Sequence, residues 1–303
     1  MTLEQLRVFV AVAERQHMTR AAEALNLTQS AASAAVAALE ARYGARLFDR
    51  VGRGLALSAA GAAFLPEARS VLARADAAAQ ALEDLSGLRR GVVTLAASQT
   101  VASYWLPPRL VRFRQAYPQI ELRMSVGNTA QVARAVLEGS AELGFAEGAV
   151  DEPALSHRRI GSDRLALLVA PGRPLASQAQ VSAKDLAEAD WVLREPGSGT
   201  RSELEDALRR LGVDPARLNV VLELPSNEAV RSAVMAGGGV TGLSELAVEP
   251  ALRSGMLRRL PVEPPARPFH LLRHRERYPS RAGEALLALL AEDEAGAWIS
   301  AAL

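Results

Sequence analysis

Hydroxyl, amide and guanidinium groups set beside glycines and helix starts are the residues of this chain best suited to hold a small ligand. The run Glu195-Pro-Gly-Ser-Gly-Thr-Arg201 gathers them most densely. Its glycines, Gly199 among them, let backbone approach a ligand closely. Ser198 and Thr200 supply hydroxyls, a helix start supplies N–H donors, and Arg201 supplies charge. Ser98-Gln99-Thr100 and Asn128-Thr129 repeat the pattern, each after an apolar strand and before a helix. Thr241 and Glu245 lie at a glycine-rich strand end and could line or hinge the same cleft. So many donors favour an anion, and carboxylate, phosphate and sulfate all fit. Each residue also has a plainer use: Ser98 and Thr200 can cap helices, and Arg201 can form a surface ion pair. The glycine run is no P-loop, because no Gly-Lys-Ser/Thr follows it.

Catalytic chemistry has thinner support. Glu147, Glu195 and Glu245 are the carboxylates near these loops, without a nucleophile elbow or a histidine beside a serine. An enzyme using the cleft remains the competing reading; the expectation is no catalysis and no cofactor. Cysteine is absent, which excludes disulfides, thiol redox sensing and cysteine-ligated metals. His270 and His274 have a metal-like spacing, but Arg267-Pro-Phe-His-Leu-Leu-Arg-His reads as a strand, where residues four apart sit too distant to chelate one ion easily. No metal is expected.

A second set of polar residues stands between Thr19 and Arg53. Thr19 can cap a short helix carrying Ala21, Ala22 and Leu25, small enough for a second helix to cross closely; Asn26 suits a turn. Thr28 is the next cap, and the helix from 29 to 42 buries Ala32, Val36 and Leu39. Gln29, Ser30 and Ser33 begin its other face. A glutamine amide can bond an adenine edge at two points, and hydroxyls serve bases or phosphates. Val51-Gly52-Arg53-Gly54 then makes a tight turn from which Arg50 and Arg53 project, as a wing does towards phosphates or a narrow minor groove. The chain's net charge is only +1, yet Arg42, Arg46, Arg50 and Arg53 are relieved by Asp49 alone, so the local footprint is basic. Lys184 is the single lysine, which reads as a bias towards arginine rather than a function.

The pattern Ala21-Ala22-x-x-Leu25-x-x-Thr28-Gln29-Ser30-Ala31-x-Ser33, then Leu39-Glu40, Gly44, Leu47-Phe48-x-Arg50-x-x-Arg53 and Leu57-Ser58-x-Ala60-Gly61, resembles the N-terminal domain of LysR-type transcriptional regulators over about the first 65 residues. Three positions depart from the family's habit: Ala34 and Ala35 replace polar or basic side chains, and Tyr43 replaces a leucine. Ala34 and Ala35 offer only apolar contacts, so base reading falls on Gln29, Ser30 and Ser33 and on DNA shape. The resemblance implies a promoter-binding regulator that dimerises through a linker helix, assembles into a homotetramer and answers a small metabolite, which the donor-rich loops lead us to expect is anionic.

Residues 2 to 15 read as a helix with capping-box spacing at Thr2 and Gln5 and an apolar stripe, a scaffold beneath the other two. From Ser58 a long helix carries Leu65, Ala68, Leu72, Ala75, Ala79 and Leu82 at intervals of three and four, a seam for a partner helix or for the chain's own body. Leu88-Arg-Arg-Gly91 ends it. Apolar strands then alternate with helices: strands at 92–96, 121–126 and 142–146, helices at 105–117 and 129–137. A second set includes strands at 164–170, 191–194, 220–224 and 240–243 and helices at 200–211 and 228–236. Such alternation predicts a mostly parallel sheet with ligand loops at the strand carboxyl ends.

The fold expected is therefore an α/β protein with an all-α-like head: a winged helix-turn-helix (1–58), a linker and dimerisation helix (59–90) and a two-lobed effector-binding domain (91–303). Lobe I takes about 91–161 and 268–303, lobe II about 162–267. The two-lobed part resembles, by layout more than by motif, the effector domain of the same family, itself similar to periplasmic solute-binding proteins. Loops like 195–201 occur in a branch of the family that regulates carbon fixation and sulfite or cysteine metabolism. At 49% hydrophobic residues the chain can build a large core, but no apolar run approaches the roughly 18 to 20 residues needed to span a bilayer. With no basic-then-apolar opening, a cytoplasmic protein is expected, which also counts against a transport-binding protein.

Overall fold

The computed structural model describes residues 1–51, 54–84 and 91–300. Two compact units divide it, and each is taken by itself.

In the first unit α1 (Leu3–Arg15) opens with the expected capping box: Gln5 N–H donates to Thr2 Oγ1 at 3.2 Å, and Thr2 N–H to Gln5 Oε1 at 3.0 Å. α2 (Met18–Ala24) is capped two residues earlier than expected. The extended His17 offers its ring Nδ1 to Arg20 N–H, so Thr19 lies inside the helix instead of capping it. Asn26 takes the left-handed conformation the turn needs, and Thr28 caps α3 (Gln29–Tyr43) by accepting from Ala31 N–H. β1 (Phe48–Val51) and β2 (Gly54–Leu57) pair antiparallel as the wing. Glu40 fixes its base, accepting from Leu47 N–H at 2.7 Å. The unit's core joins Leu6, Phe9 and Val12 to Ala21, Ala22, Ala32, Val36, Leu39 and Phe48.

Ser58 caps α4 (Ala59–Asp84) through Gly61 N–H. The seam along α4 is divided. Phe64, Leu65, Ala68 and Leu72 pack onto the head's own core, with Phe64 and Phe9 ring centroids 5.1 Å apart, whereas Leu82 is 71% exposed. An uninterrupted partner seam from Leu65 onwards is therefore wrong for its first half: those apolar faces are already covered.

The second unit begins with β3 (Gly91–Ser98), a π-helical turn (Val101–Trp105), α5 (Pro107–Ala116), β4 (Ile120–Gly127), α6 (Thr129–Glu138) and β5 (Leu143–Glu147). β4, β3 and β5 lie parallel. The long β6 (Leu155–Val169) leaves this lobe. It leads to α7 (Ala183–Glu188), β7 (Asp190–Arg194), α8 (Gly199–Arg210), β8 (Asn219–Leu224), α9 (Asn227–Met235), β9 (Thr241–Ser244), α10 (Glu245–Arg253) and β10 (Arg258–Arg259). β11 (Ala266–His274) returns, followed by α11 (Arg281–Ser300). Ala282, Leu286 and Leu290 of α11 close the first lobe's core, as the return of the last strand and helix required.

The expectation of a mostly parallel sheet holds only inside the lobes. β6 and β11 run antiparallel to each other from Leu155 to Arg164, and β11 also runs antiparallel to β5, while β9 and β10 pair antiparallel with the far half of β6. Two strands that carry the chain out of a lobe and back again must oppose each other; the returning strand was expected, but β6 begins nine residues before the expected 164–170. Their pairing slips between Phe269 and His270, beside Gly161. Trp105 packs against that glycine, where a Cβ would press on its Nε1.

Candidate functional site

On α3, Gln29, Ser30, Ser33 and Ala34 are exposed, whereas Ala32, Val36 and Leu39 are buried. Thr28 Oγ1 stands 3.0 Å from the Ser30 hydroxyl as well as capping the helix, which orders the polar first turn. Ala35, expected on the outer face, instead packs against the head core. Arg50 is exposed on β1 opposite Leu55. Gly52 and Arg53, at the wing's tip, lie outside the described residues. The arrangement presents one polar helix face and one arginine-bearing strand on the same small unit, the two parts that a winged helix uses for base edges and phosphates.

In the second unit the nominated loops meet around a residue the sequence reading considered only as a catalytic acid. Glu147 ends β5 with its side chain buried. The Ser98 hydroxyl, at the end of β3, donates to Glu147 Oε2, and the Thr200 hydroxyl, in the first turn of α8, donates to Oε1 at 3.0 Å. Thr129, at the start of α6, donates to the Glu147 carbonyl at 2.7 Å. Gly199 completes the contact: any Cβ there would collide with the Glu147 carbonyl and Thr129 Oγ1. Gly148, at φ +85°, faces it across the seam. Donors from both lobes thus converge on one carboxylate.

The cation beneath them is Arg267, 1% exposed on β11. It donates to Thr200 Oγ1 at 3.1 Å, stands 3.8 Å from Glu147 Oε1, and bonds Asp163 of β6 at 2.9 and 3.3 Å. Asp163 therefore takes most of Arg267's charge, and Glu147 relies on hydroxyls. Removing one member of such a buried pair strands the other and costs about 3–5 kcal/mol. Glu203 of α8 lies near this group; burial pushes its carboxyl up from the ordinary glutamate range, partly offset by Arg267.

The remaining nominees divide. Gln99 holds α9 at two backbone points, donating to the Pro225 carbonyl at 2.9 Å and accepting from Asn227 N–H at 3.0 Å. Thr100 accepts from the Asn227 amide, whose oxygen takes the buried Arg194. Asn128 donates to Glu195, which pairs with Arg194 at 2.8 Å. These are bonds from one lobe to the other at either end of the seam. Ser198 caps α8, accepting from Arg201 N–H. Arg201 does not face the seam: it is committed to Glu205 at 2.9 Å, Glu223 and the Arg194 carbonyl, so the charge expected from it comes from Arg267 instead. Thr241 is buried in β9 opposite Leu168, with no hydrogen bond linking it to Glu147 among the described residues. Asp163 and Arg267 were missed because their strands carry other polar residues, so neither stood out as a lone charge in an apolar run.

His270 and His274 both lie on β11 as expected, and no group of metal-competent side chains is assembled among the described residues. No helix among them is long and apolar enough to cross a membrane.

Comparison with known proteins agrees with this division. Residues 3–62 match the family described as bacterial regulatory helix-turn-helix protein, lysR family, and residues 86–295 match the LysR substrate binding domain. The chain is 36% identical to the HTH-type transcriptional regulator YeiE of Escherichia coli K12 over 93% of its own length and 94% of that protein's. Full-length CbnR complexed with its target DNA shares the fold at a TM-score of 0.69 and 21% identity, covering 96% of this chain and 99% of CbnR. The regulatory domain of Synechocystis CcmR, in complex with 2-PG, superposes at a TM-score of 0.60 with 26% identity, over 66% of this chain and 96% of that domain. With both halves matched in order and a relative alike along nearly its whole length, the chain belongs to the LysR family of DNA-binding transcriptional regulators.

Proposed function

We propose that promoter binding by this regulator is controlled by a small anion that enters the interlobe seam and takes over the hydrogen bonds now made to Glu147. The observation that carries this reading is the convergence of Ser98 and Thr200, one from each lobe, on a single buried carboxylate with Arg267 behind it. Hydroxyls and a guanidinium arranged for one carboxylate suit another of similar size. Thr129, Gly199, Asn128, Gln99, Thr100 and Ser198 shape the surrounding loops. The 2-PG complex of the CcmR domain supports an anionic effector, and Gln29, Ser30, Ser33, Thr28, Arg50 and Arg53 are the residues we assign to DNA.

An entering anion must part from or displace Glu147, so its binding shifts the balance between lobe arrangements only as far as it prefers one of them. The exposed end of α4, including Leu82, pairs two chains, and two pairs make a homotetramer whose heads read half-sites roughly 34–36 Å apart or multiples of that. Calorimetric titration of the full chain with phosphate, sulfate and small mono- and dicarboxylates tests the cleft. At least one anion binds, and Thr200→Val weakens it roughly tenfold, the loss of one hydrogen bond to a charged group. Glu147→Gln, which removes the resident negative charge, binds the same anion more tightly. If no anion binds wild type or Glu147→Gln, the cleft reading fails.

A further inference from the structure

A second group of basic side chains lies on the strands that join the lobes, apart from the Glu147 seam. In the register of β6 with β11, Arg159 stands opposite His270 and His157 opposite Leu272, so His157, Arg159 and His270 share one face of the pair. The two imidazoles meet edge to face with centroids 6.2 Å apart. His157 and Arg159 are exposed and His270 half-buried. On β5 the residue opposite His270 is Ala146, which adds no charge. Among the described residues no carboxylate pairs with Arg159, His157 or His270.

The Nδ1 atom of His270 is shut off from solvent and has no hydrogen-bond partner among the described residues. A buried polar nitrogen without a partner is rare and calls for an explanation, an ion among them. Two imidazoles and a guanidinium on one face, with no acid among them, are a set of donors lacking an acceptor.

We propose that His157, Arg159 and His270 form a second anion site, for a small oxyanion of the sulfate, phosphate or carboxylate class, on the strands that carry the chain between lobes. The site is independent of the cleft reading. Burial, then His157, then Arg159 hold the His270 imidazole below the usual histidine range, so an unliganded site at neutral pH keeps that ring neutral. An arriving anion offsets the Arg159 charge and supplies the missing acceptor, which favours the His270 imidazolium. Anion binding is therefore coupled to proton uptake and strengthens as pH falls. Its place beside the register slip at Phe269 and His270 puts it on the segment that any movement between lobes must bend.

Inorganic sulfate is the probe, because it stays a dianion throughout the histidine range. The chain has only four histidines, so each imidazole can be followed by NMR in the full-length protein labelled at histidine. Sulfate, compared with sodium chloride of equal ionic strength, raises the apparent pKa of His270, moves the His157 resonances and leaves those of His17 and His274 unchanged. Apparent sulfate affinity falls up to tenfold per pH unit above the His270 pKa, the slope for one linked proton. Arg159→Gln, an exposed change, removes most of the response. Thr200→Val in the cleft leaves it intact. The proposal is overturned if sulfate acts no differently from chloride, if Arg159→Gln responds as wild type does, or if Thr200→Val abolishes the effect, which would place the sulfate in the cleft.

Discussion

Glu147 was legible in the sequence only as an acid near a cleft; its use became apparent once Ser98 and Thr200 were seen donating to it. The hydroxyls could be nominated because each follows a strand and begins a helix, a local pattern. Their acceptor could not, because Glu147 lies 49 residues from Ser98 and 53 from Thr200 in sequence. Arg201 shows the opposite error: its position in the loop pointed to the ligand, but Glu205 and Glu223 lie closer and hold it. Glu203 gives a test at this scale. Its carboxyl is raised in the folded protein relative to 4.5. A raised group contributes its full stability below the unfolded pKa and loses it as pH rises through the folded value. Glu203→Gln therefore melts like wild type near pH 4.5 and at a higher temperature than wild type at pH 7.5, by scanning calorimetry. Equal melting temperatures at both pH values would remove the burial argument.

At the scale of elements, periodicity located the helices well because caps and apolar stripes are short-range. α1, α3 and α8 begin within a residue or so of expectation, each with a side-chain cap. α2 began before its expected cap because histidine, which few would choose as a cap, had the accepting nitrogen in place. β11 lies where a strand was expected, but β6 was read nine residues too short, since alternating exposure along it changes meaning where it passes from one lobe's core to the other's. For α4, an apolar seam does not say whether a partner or the chain's own body covers it. The division observed makes a specific prediction. Ala68→Leu, at a fully buried position, overpacks the head and lowers stability by about 1–3 kcal/mol in denaturant melts. Leu82→Asp leaves the melting transition near wild type but shifts sedimentation towards smaller species. A Leu82→Asp protein that keeps the wild-type assembly would place the pairing surface elsewhere.

For the whole molecule, the head was legible nearly in full, because every feature of a winged helix-turn-helix lies within about sixty consecutive residues. The two-lobed domain was legible as a layout, and the buried Arg267–Asp163 pair that joins its crossing strands was not, its members being 104 residues apart. The function proposed above needs both parts: a polar face on α3 to read bases, and a seam whose occupancy would alter how the lobes rest on each other.

The most direct test of the central claim is a salt titration of binding to the gene's own upstream DNA and to a scrambled duplex, with wild type and Gln29→Ala in parallel. The account predicts steeply salt-dependent binding that favours the upstream DNA, with Gln29→Ala losing about 1–3 kcal/mol of that preference while keeping the same salt slope. Equal affinity for both duplexes, or a Gln29→Ala protein that discriminates as well as wild type, would contradict it.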